Sequence, residues 1–306
     1  MTQATQAPQT VGFVGLGQMG RPMVENLGRA GHRVLAYDLD ARALADAATL
    51  PNVSAAASAA DLARRATAVV LMLPDSRIVD RLLWDDGFAA GLARGTLLID
   101  MGSSNPMNTR ENARRLSALG VELVDAPVSG GVKRAVSASL AIMIGGTPEA
   151  VARAMPLLSA LGKTLIHAGG HGSGHAIKAL NNYVSAAGLA AVCEALDAAQ
   201  RFGIDPSVAN RVFDASTGKN NTTENKVEAF MLNGRFDSGF ALALMRKDLQ
   251  TALALMDGVE ASKGLAERCV QLWEGAEQAL GKGADHTAFY RYARQGEQQP
   301  PGQHDT

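Results

Sequence analysis

Lys178 and Asn182 stand four residues apart in GSGHAIKALNN (172–182). In a helix that spacing puts an ammonium and a carboxamide on one face, one turn apart. Such a pair can point together at one small substrate, which makes it a candidate acid/base site. A free lysine titrates near ~10.4, so burial or neighbouring positive charge has to lower it for this work. Upstream, Gly15, Gly17 and Gly20 form G-x-G-x-x-G, with Leu16, Gln18 and Met19 between them. The pattern follows an apolar run, VGFVG, and opens a helix-like one, RPMVENLGRA, the context in which it signals a dinucleotide. Gly15 permits the tight turn, Gly17 lets the backbone approach a pyrophosphate, and Gly20 lets helix and strand pack closely. The helix start offers free N–H groups to the anion. Asp38, after HRVLAY, lies near the ~20-residue offset at which a carboxylate takes the adenosine ribose hydroxyls, which favours NAD over NADP.

These residues need a scaffold, and the chain between Val11 and about His167 supplies one. The short apolar runs VGFVG, RVLAY, AVVLML, TLLID, VELVD, LAIMI and TLIHA alternate with amphipathic stretches such as PMNTRENARRLSAL and PEAVARAMPLLSAL. That alternation predicts βαβ units and a parallel, doubly wound α/β sheet of Rossmann type. After Gly172 the pattern turns to long Ala- and Leu-rich segments of 3.6-residue period, predicting an all-helical second half. A long helix over about 174–202 links the halves and stops at Gly203; others follow from about Pro206, Asn221, Phe240 and Ala261. The expected organisation is a flexible N-terminus (1–10), a dinucleotide-binding domain (11–171), a helical domain (172–294) and a disordered polar tail (295–306).

Composition narrows the class. The 306 residues are 47% hydrophobic and 19% charged with a net charge of -1, so no basic stripe is available for nucleic acid and the expected ligand is small. No apolar run approaches bilayer length and the start lacks a signal-peptide pattern, so no membrane association is expected. Two cysteines, Cys193 and Cys269, lack metal or disulfide spacing and suit a reducing cytoplasm as packing residues. His167, His171 and His175 come without an acidic ligand, so no metal site is expected.

Five ordered motifs beyond the glycine loop carry a family resemblance: LMLP (71–74), IDMGSSNP (99–106), DAPVSGG (125–131), GSGHAIKALNNYVS (172–185) and FALALMRKDL (240–249). With VGFVGLGQMGRPM they make the chain similar, over almost its whole length, to the β-hydroxyacid dehydrogenases, which include 3-hydroxyisobutyrate dehydrogenases and tartronate semialdehyde reductases. The resemblance implies NAD(P)-dependent hydride transfer between nicotinamide and a small 3-hydroxy acid or its semialdehyde, with Lys178 as general acid/base. It implies substrate contacts from Ser129, Gly130, Gly131, Asn181, Asn182 and Ser185. Cofactor contacts would come from the glycine loop, Asp38, Leu73, Pro74, Ser103 and Lys247, with Asp248 holding Lys247. It further implies a homodimer or homotetramer. Imine reductases resemble the same family but generally lack a lysine at this position, and decarboxylating 6-phosphogluconate dehydrogenases have a longer helical domain. A non-catalytic nucleotide-binding protein is the remaining alternative, against which Lys178, Asn182 and Ser129 stand together.

Three positions depart from the family pattern: Gly102 for Ser or Thr, Arg134 for Gly, and Ala138 for Gly. The segment STGKNNTTENK (216–226) is polar where some relatives are apolar. If it faces the substrate, extra hydroxyls or a second acid group are expected; a solvated loop has the same composition.

Overall fold

Strand burial explains the first half. In the computed structural model, which describes residues 10–295, nine strands form one sheet: β1 (Thr10–Val14), β2 (Arg33–Tyr37), β3 (Val53–Ala55), β4 (Ala68–Leu71), β5 (Leu97–Asp100), β6 (Glu122–Asp125), β7 (Val128–Ser129), β8 (Leu140–Gly145) and β9 (Gly162–Gly169). Their order is 3-2-1-4-5-6-8-7, with β9 also on β8. Every pair from β3 to β6 is parallel, whereas β8 runs antiparallel to β6 and β7 and parallel to β9. The central strands β4 and β5 are buried along their whole length because both faces are covered. Alternate side chains divide between two cores: Val11, Phe13, Val70, Ile99 and Val124 on one face, Val14, Leu35, Val69, Leu71 and Leu98 on the other.

The doubly wound fold is as expected, with three differences. The sheet is mixed rather than wholly parallel. The run AVVLML stops at Leu71, leaving Met72–Pro74 as a loop, and β3 and β7 are too short and too polar to show as apolar runs. Around the sheet lie α1 (Gly20–Arg29), α2 (Ala41–Ala47), α3 (Ala59–Arg65), α4 (Ser76–Asp80), α5 (Pro106–Ala118), α6 (Gly131–Val136) and α7 (Pro148–Ser159).

Contacts divide the chain into two units between Lys178 and Ala179. The helix α8 (Ser173–Phe202) begins in the first unit and continues into the second, ending at Gly203, where the Ile204 N–H returns to the Ala199 carbonyl at 2.9 Å. The second unit adds α9 (Pro206–Ala215), α10 (Asn221–Asn225), α11 (Leu242–Gly258), α12 (Gly264–Leu280) and α13 (Phe289–Gln295) around a core of Leu189, Cys193, Leu249, Cys269, Trp273 and Phe289. The helices placed near Phe240 and Ala261 start at Leu242 and Gly264, and α13 carried too weak a period to be anticipated. Apart from Thr10, which opens β1, and Gln295, which closes α13, the expected flexible N-terminus and disordered tail lie outside the described residues. Among the described residues no helix is long and apolar enough to cross a membrane, and no group of His, Cys, Asp and Glu has metal-binding geometry.

Candidate active site

The strand order reverses between β1 and β4, and in open α/β sheets that switch point opens a crevice at the carboxyl ends of the strands. Gly15 follows β1 there with φ +98°, and a Cβ on it would strike the Met72 carbonyl oxygen and lie 3.2 Å from Leu73 Cδ2. Gly20 sits directly against the Gly15 carbonyl oxygen, whereas a Cβ on Gly17 would meet nothing within 4 Å. The first and third glycines are thus demanded by packing, and the second faces open space. Side chains cap α2, α3, α4, α5 and α7, through Asp40, Ser58, Asp75, Asn105 and Thr147. Helix α1 has no side-chain cap and no acid in its first turn. Its free N–H groups therefore suit a pyrophosphate. Leu16 is buried, Gln18 is exposed and Met19 is half-buried.

Asp38 is set at the end of β2 by two backbone donors, Leu16 N–H to Oδ2 at 2.6 Å and Asp40 N–H to Oδ1 at 2.8 Å. The carboxylate thus ties the glycine loop to the β2 end and holds a fixed orientation beside it. Leu73 and Ser103 are half-buried on the loops after β4 and β5, and Pro74 is exposed. Gly102 has a packing reason, since a Cβ there would come within 2.6 Å of the Leu73 carbonyl oxygen.

The start of α8 is clamped to the sheet. Asp125, fully buried at the end of β6, accepts from Gly172 N–H at 2.8 Å and His175 N–H at 2.9 Å. His175, 1% exposed, pairs through Nδ1 with Thr109 Oγ1 of α5 at 2.8 Å, and Asp100 Oδ2 lies 3.8 Å from its Nε2. A Cβ on Gly174 would collide with the Met143 and Asp125 carbonyl oxygens. This first turn leaves no slack, and the half-buried Lys178 follows three residues after His175. Asp125 and His175 were missed as positioning groups. Asp125 lies within DAPVSGG, but its bonds to Gly172 and His175 join residues 47 and 50 apart, which no local pattern shows. Ser129 is half-buried at the end of β7, while Gly130 and Gly131, with φ +127° and +64°, lead into α6 and are exposed. Consecutive N–H groups in such a turn form an anion-binding concavity. Arg134 is exposed, its stem against Gly130.

Further along α8, Asn182 is 7% exposed and donates through Nδ2 to Asp248 Oδ2 of α11 at 2.5 Å, while Asn181 Nδ2 donates to Asn182 Oδ1 at 3.2 Å. Asp248 Oδ1 lies 3.5 Å from Lys247 Nζ, so one buried carboxylate joins the amide to the second lysine. Ser185 Oγ accepts from Lys226 Nζ at 3.5 Å, a contact with no counterpart in the motif reading. The glycine loop, Asp38, Leu73, Pro74, Ser103, Ser129–Gly131 and Lys178 belong to the first unit. Asn181, Asn182, Ser185, Lys247 and Asp248 belong to the second.

Comparison with known proteins finds relatives along both halves of the chain. Residues 10–170 match the NAD binding domain of 6-phosphogluconate dehydrogenase, and residues 172–293 match the NAD-binding domain of NADP-dependent 3-hydroxyisobutyrate dehydrogenase. The 3-hydroxyisobutyrate dehydrogenase of Pseudomonas aeruginosa is 38% identical over 280 residues, covering 88% of this chain and 92% of its own. The 2-(hydroxymethyl)glutarate dehydrogenase of Eubacterium barkeri is 34% identical over 278 residues, 90% of this chain and 91% of its own. The structure of Mycobacterium tuberculosis 3-hydroxyisobutyrate dehydrogenase with L-serine superposes with a TM-score of 0.87 at 32% identity, covering 94% of this chain and 100% of that one. With a capless α1 for the dinucleotide and relatives of one chemistry along both units, the chain belongs to the β-hydroxyacid dehydrogenase family and is an NAD(P)-dependent oxidoreductase of hydroxy acids.

Proposed function

We propose that Lys178 exchanges the substrate proton, with NAD(H) held over the glycine loop and Asp38, and a 3-hydroxy acid anchored by its carboxylate at Ser129, Gly130 and Gly131. The bound nicotinamide supplies the hydride acceptor in oxidation and the donor in reduction. During oxidation the amine of Lys178 takes the proton from the hydroxyl as the carbinol carbon loses hydride; in reduction the ammonium returns it. Asn182, its amide turned by Asp248, orients the substrate hydroxyl, and Lys247 reaches the cofactor from the same carboxylate. Ser103, Leu73 and Pro74 line the cofactor's path along the sheet ends.

The observation that carries this reading is the clamp on α8: Asp125 fixes the helix start, and the helical period aligns Lys178, Asn182 and Ser185 on one face. Asp38 supports NAD over NADP, because a carboxylate that accepts from ribose hydroxyls repels a 2′-phosphate. The relatives span a monocarboxylate, 3-hydroxyisobutyrate, and a dicarboxylate, 2-(hydroxymethyl)glutarate, and the M. tuberculosis structure was solved with L-serine, itself a 3-hydroxy acid. The buried thiols of Cys193 and Cys269 fit a cytoplasmic enzyme. Exposed Val184, Val208 and Val212 fit a homodimer or homotetramer, which light scattering would read.

The test is a panel of 3-hydroxyisobutyrate, 2-(hydroxymethyl)glutarate, L-serine and tartronate semialdehyde, assayed with NAD(H) and NADP(H) by nicotinamide absorbance. Lys178→Ala should lower kcat by roughly 10²–10⁴-fold. Undiminished turnover in that variant would sink the assignment.

A further inference from the structure

The polar segment 216–226 is ordered. Asn220 caps α10 by accepting from Thr222 and Thr223 N–H at 2.7 and 3.4 Å, and the Thr223 hydroxyl receives the Asn220 N–H at 3.0 Å. Thr222 and Thr223 are buried. At Lys226 the backbone then leaves the helix, with φ −122° and ψ −40°, and the next turn widens as Phe230 and Met231 N–H both reach the Lys226 carbonyl at 2.9 and 3.3 Å. Widened turns of this type recur at functional sites. Here the side chain spans from α10 to Ser185 on α8. Ser185 is seven residues beyond Lys178 and three beyond Asn182, on the same helix face. Lys178 and Ser185 are therefore separated by about 10 Å along the axis at ~1.5 Å per residue.

An ammonium in that place lacks its usual compensation. Its hydrogen-bond partner is a neutral hydroxyl, and among the described residues no carboxylate ion-pairs with it. Of the titratable groups around it, Asp285 carries a charge that reaches it, while burial keeps Cys193 a neutral thiol and pulls His286 toward its neutral form. Asp285 is committed elsewhere, accepting from the Ser238 hydroxyl and from Gly239, Phe240 and Thr287 N–H. Burial pulls the Lys226 ammonium down to about 8. A half-buried cation whose nearest carboxylate charge, that of Asp285, acts only from beyond ion-pairing range can take an anion from outside the chain.

We propose that Lys226 determines specificity by receiving a second anionic group, such as a distal carboxylate, on the hydroxy acid whose reacting end lies at Lys178; this rests on the reading of Lys178 given above. The Ser185 hydroxyl then steers the ammonium toward the substrate.

The experiment compares wild type, Lys226→Met and Lys226→Arg by the ratio of kcat/KM for 2-(hydroxymethyl)glutarate to that for 3-hydroxyisobutyrate. In Lys226→Met the ratio should fall by about tenfold or more, through KM of the dicarboxylate rather than kcat, and Lys226→Arg should restore most of it. An unchanged ratio overturns the proposal, as does an equal loss on both substrates. A second measurement needs no turnover: NADH-loaded enzyme is titrated calorimetrically with glutarate and with butyrate. Wild type should prefer glutarate and Lys226→Met should lose that preference. Equal binding by wild type overturns the role of Lys226 even where Lys178 proves catalytic. A glutarate preference that depends on Lys226, in an enzyme whose turnover ignores Lys178→Ala, sinks the reading of Lys178 alone.

Discussion

Lys226 ties the pH dependence of stability to that of binding. In the unfolded chain its ammonium titrates near ~10.4, whereas burial, opposed by the charge of Asp285, lowers it in the folded enzyme to about 8. Between those values the unfolded chain binds the additional proton, so this group makes stability rise with pH from about 8 to about 10. Near neutral pH the charged form costs the folded state on the order of 3 kcal/mol. Lys226→Met should therefore raise the urea midpoint near pH 7 and lose much of that advantage near pH 9.5; an equal gain at both values would show that burial does not disfavour the ammonium. A dicarboxylate would favour the charged form again, so its binding near pH 8.5 should take up protons, seen as a binding enthalpy that varies with buffer ionisation enthalpy. Asp38 makes a different residue-scale prediction. Since Leu16 and Asp40 N–H fix the carboxylate, Asp38→Ala should weaken both cofactors by loosening the loop. It should also reduce the NAD-over-NADP ratio of kcat/KM by roughly tenfold or more, because only the 2′-phosphate form gains from losing the charge. An unchanged ratio would show that Asp38 does not read the ribose.

Elements carry strain and clamps that single motifs do not reveal. Ala138, where the family pattern has glycine, lies between α6 and β8 at φ +48°, a left-handed conformation that costs a residue with a Cβ about 1 kcal/mol. Ala138→Gly should therefore stabilise the first unit by up to about 1 kcal/mol, read as a higher urea midpoint; a lower midpoint would mean that the added chain entropy of glycine outweighs the strain. Asp125→Ala should do the reverse. It strips the Gly172 and His175 N–H groups of a buried acceptor, with an expected cost of about 2–4 kcal/mol and a fall in kcat as the start of α8 loosens. These two positions mark how far the sequence was legible. Fully buried strands such as AVVL and LLID declare themselves by composition, and G-x-G-x-x-G by spacing. The three residues of β3 and the two of β7 are shorter than any period. The antiparallel entry of β8 depends on a turn after Ser129 and on no hydrophobic pattern. Lys178 and Asn182 were visible because both lie in one helix, whereas the Asn182–Asp248 pair joins residues 66 apart and the Lys226–Ser185 contact joins residues 41 apart. No local pattern encodes those distances. STGKNNTTENK read equally well as a solvated loop because its order comes from buried threonine contacts and a cap, which composition does not show.

At the scale of the whole molecule, the two units have separate apolar cores, the first packing both faces of a sheet and the second centred on Trp273 stacked against Phe289 at 4.8 Å. Cooperativity in unfolding comes from shared buried surface, and a chain with distinct cores is a poor candidate for one all-or-none transition. Calorimetry should accordingly give a van't Hoff enthalpy smaller than the measured enthalpy, with two overlapping components. The residues proposed for the dinucleotide lie in the first unit, apart from Lys247. NADH at about 100 times its Kd adds about 2.7 kcal/mol to whatever it binds, so it should raise the component that loses the sheet's circular dichroism signal more than the other. If Lys247 binds the dinucleotide as proposed, the helical component in Lys247→Ala should lose whatever shift the cofactor gave it. A single transition with equal enthalpies would show that α8, continuous through both units, couples them into one cooperative block. Equal shifts in Lys247→Ala would show that the cofactor stabilises the helical unit by a route other than this lysine.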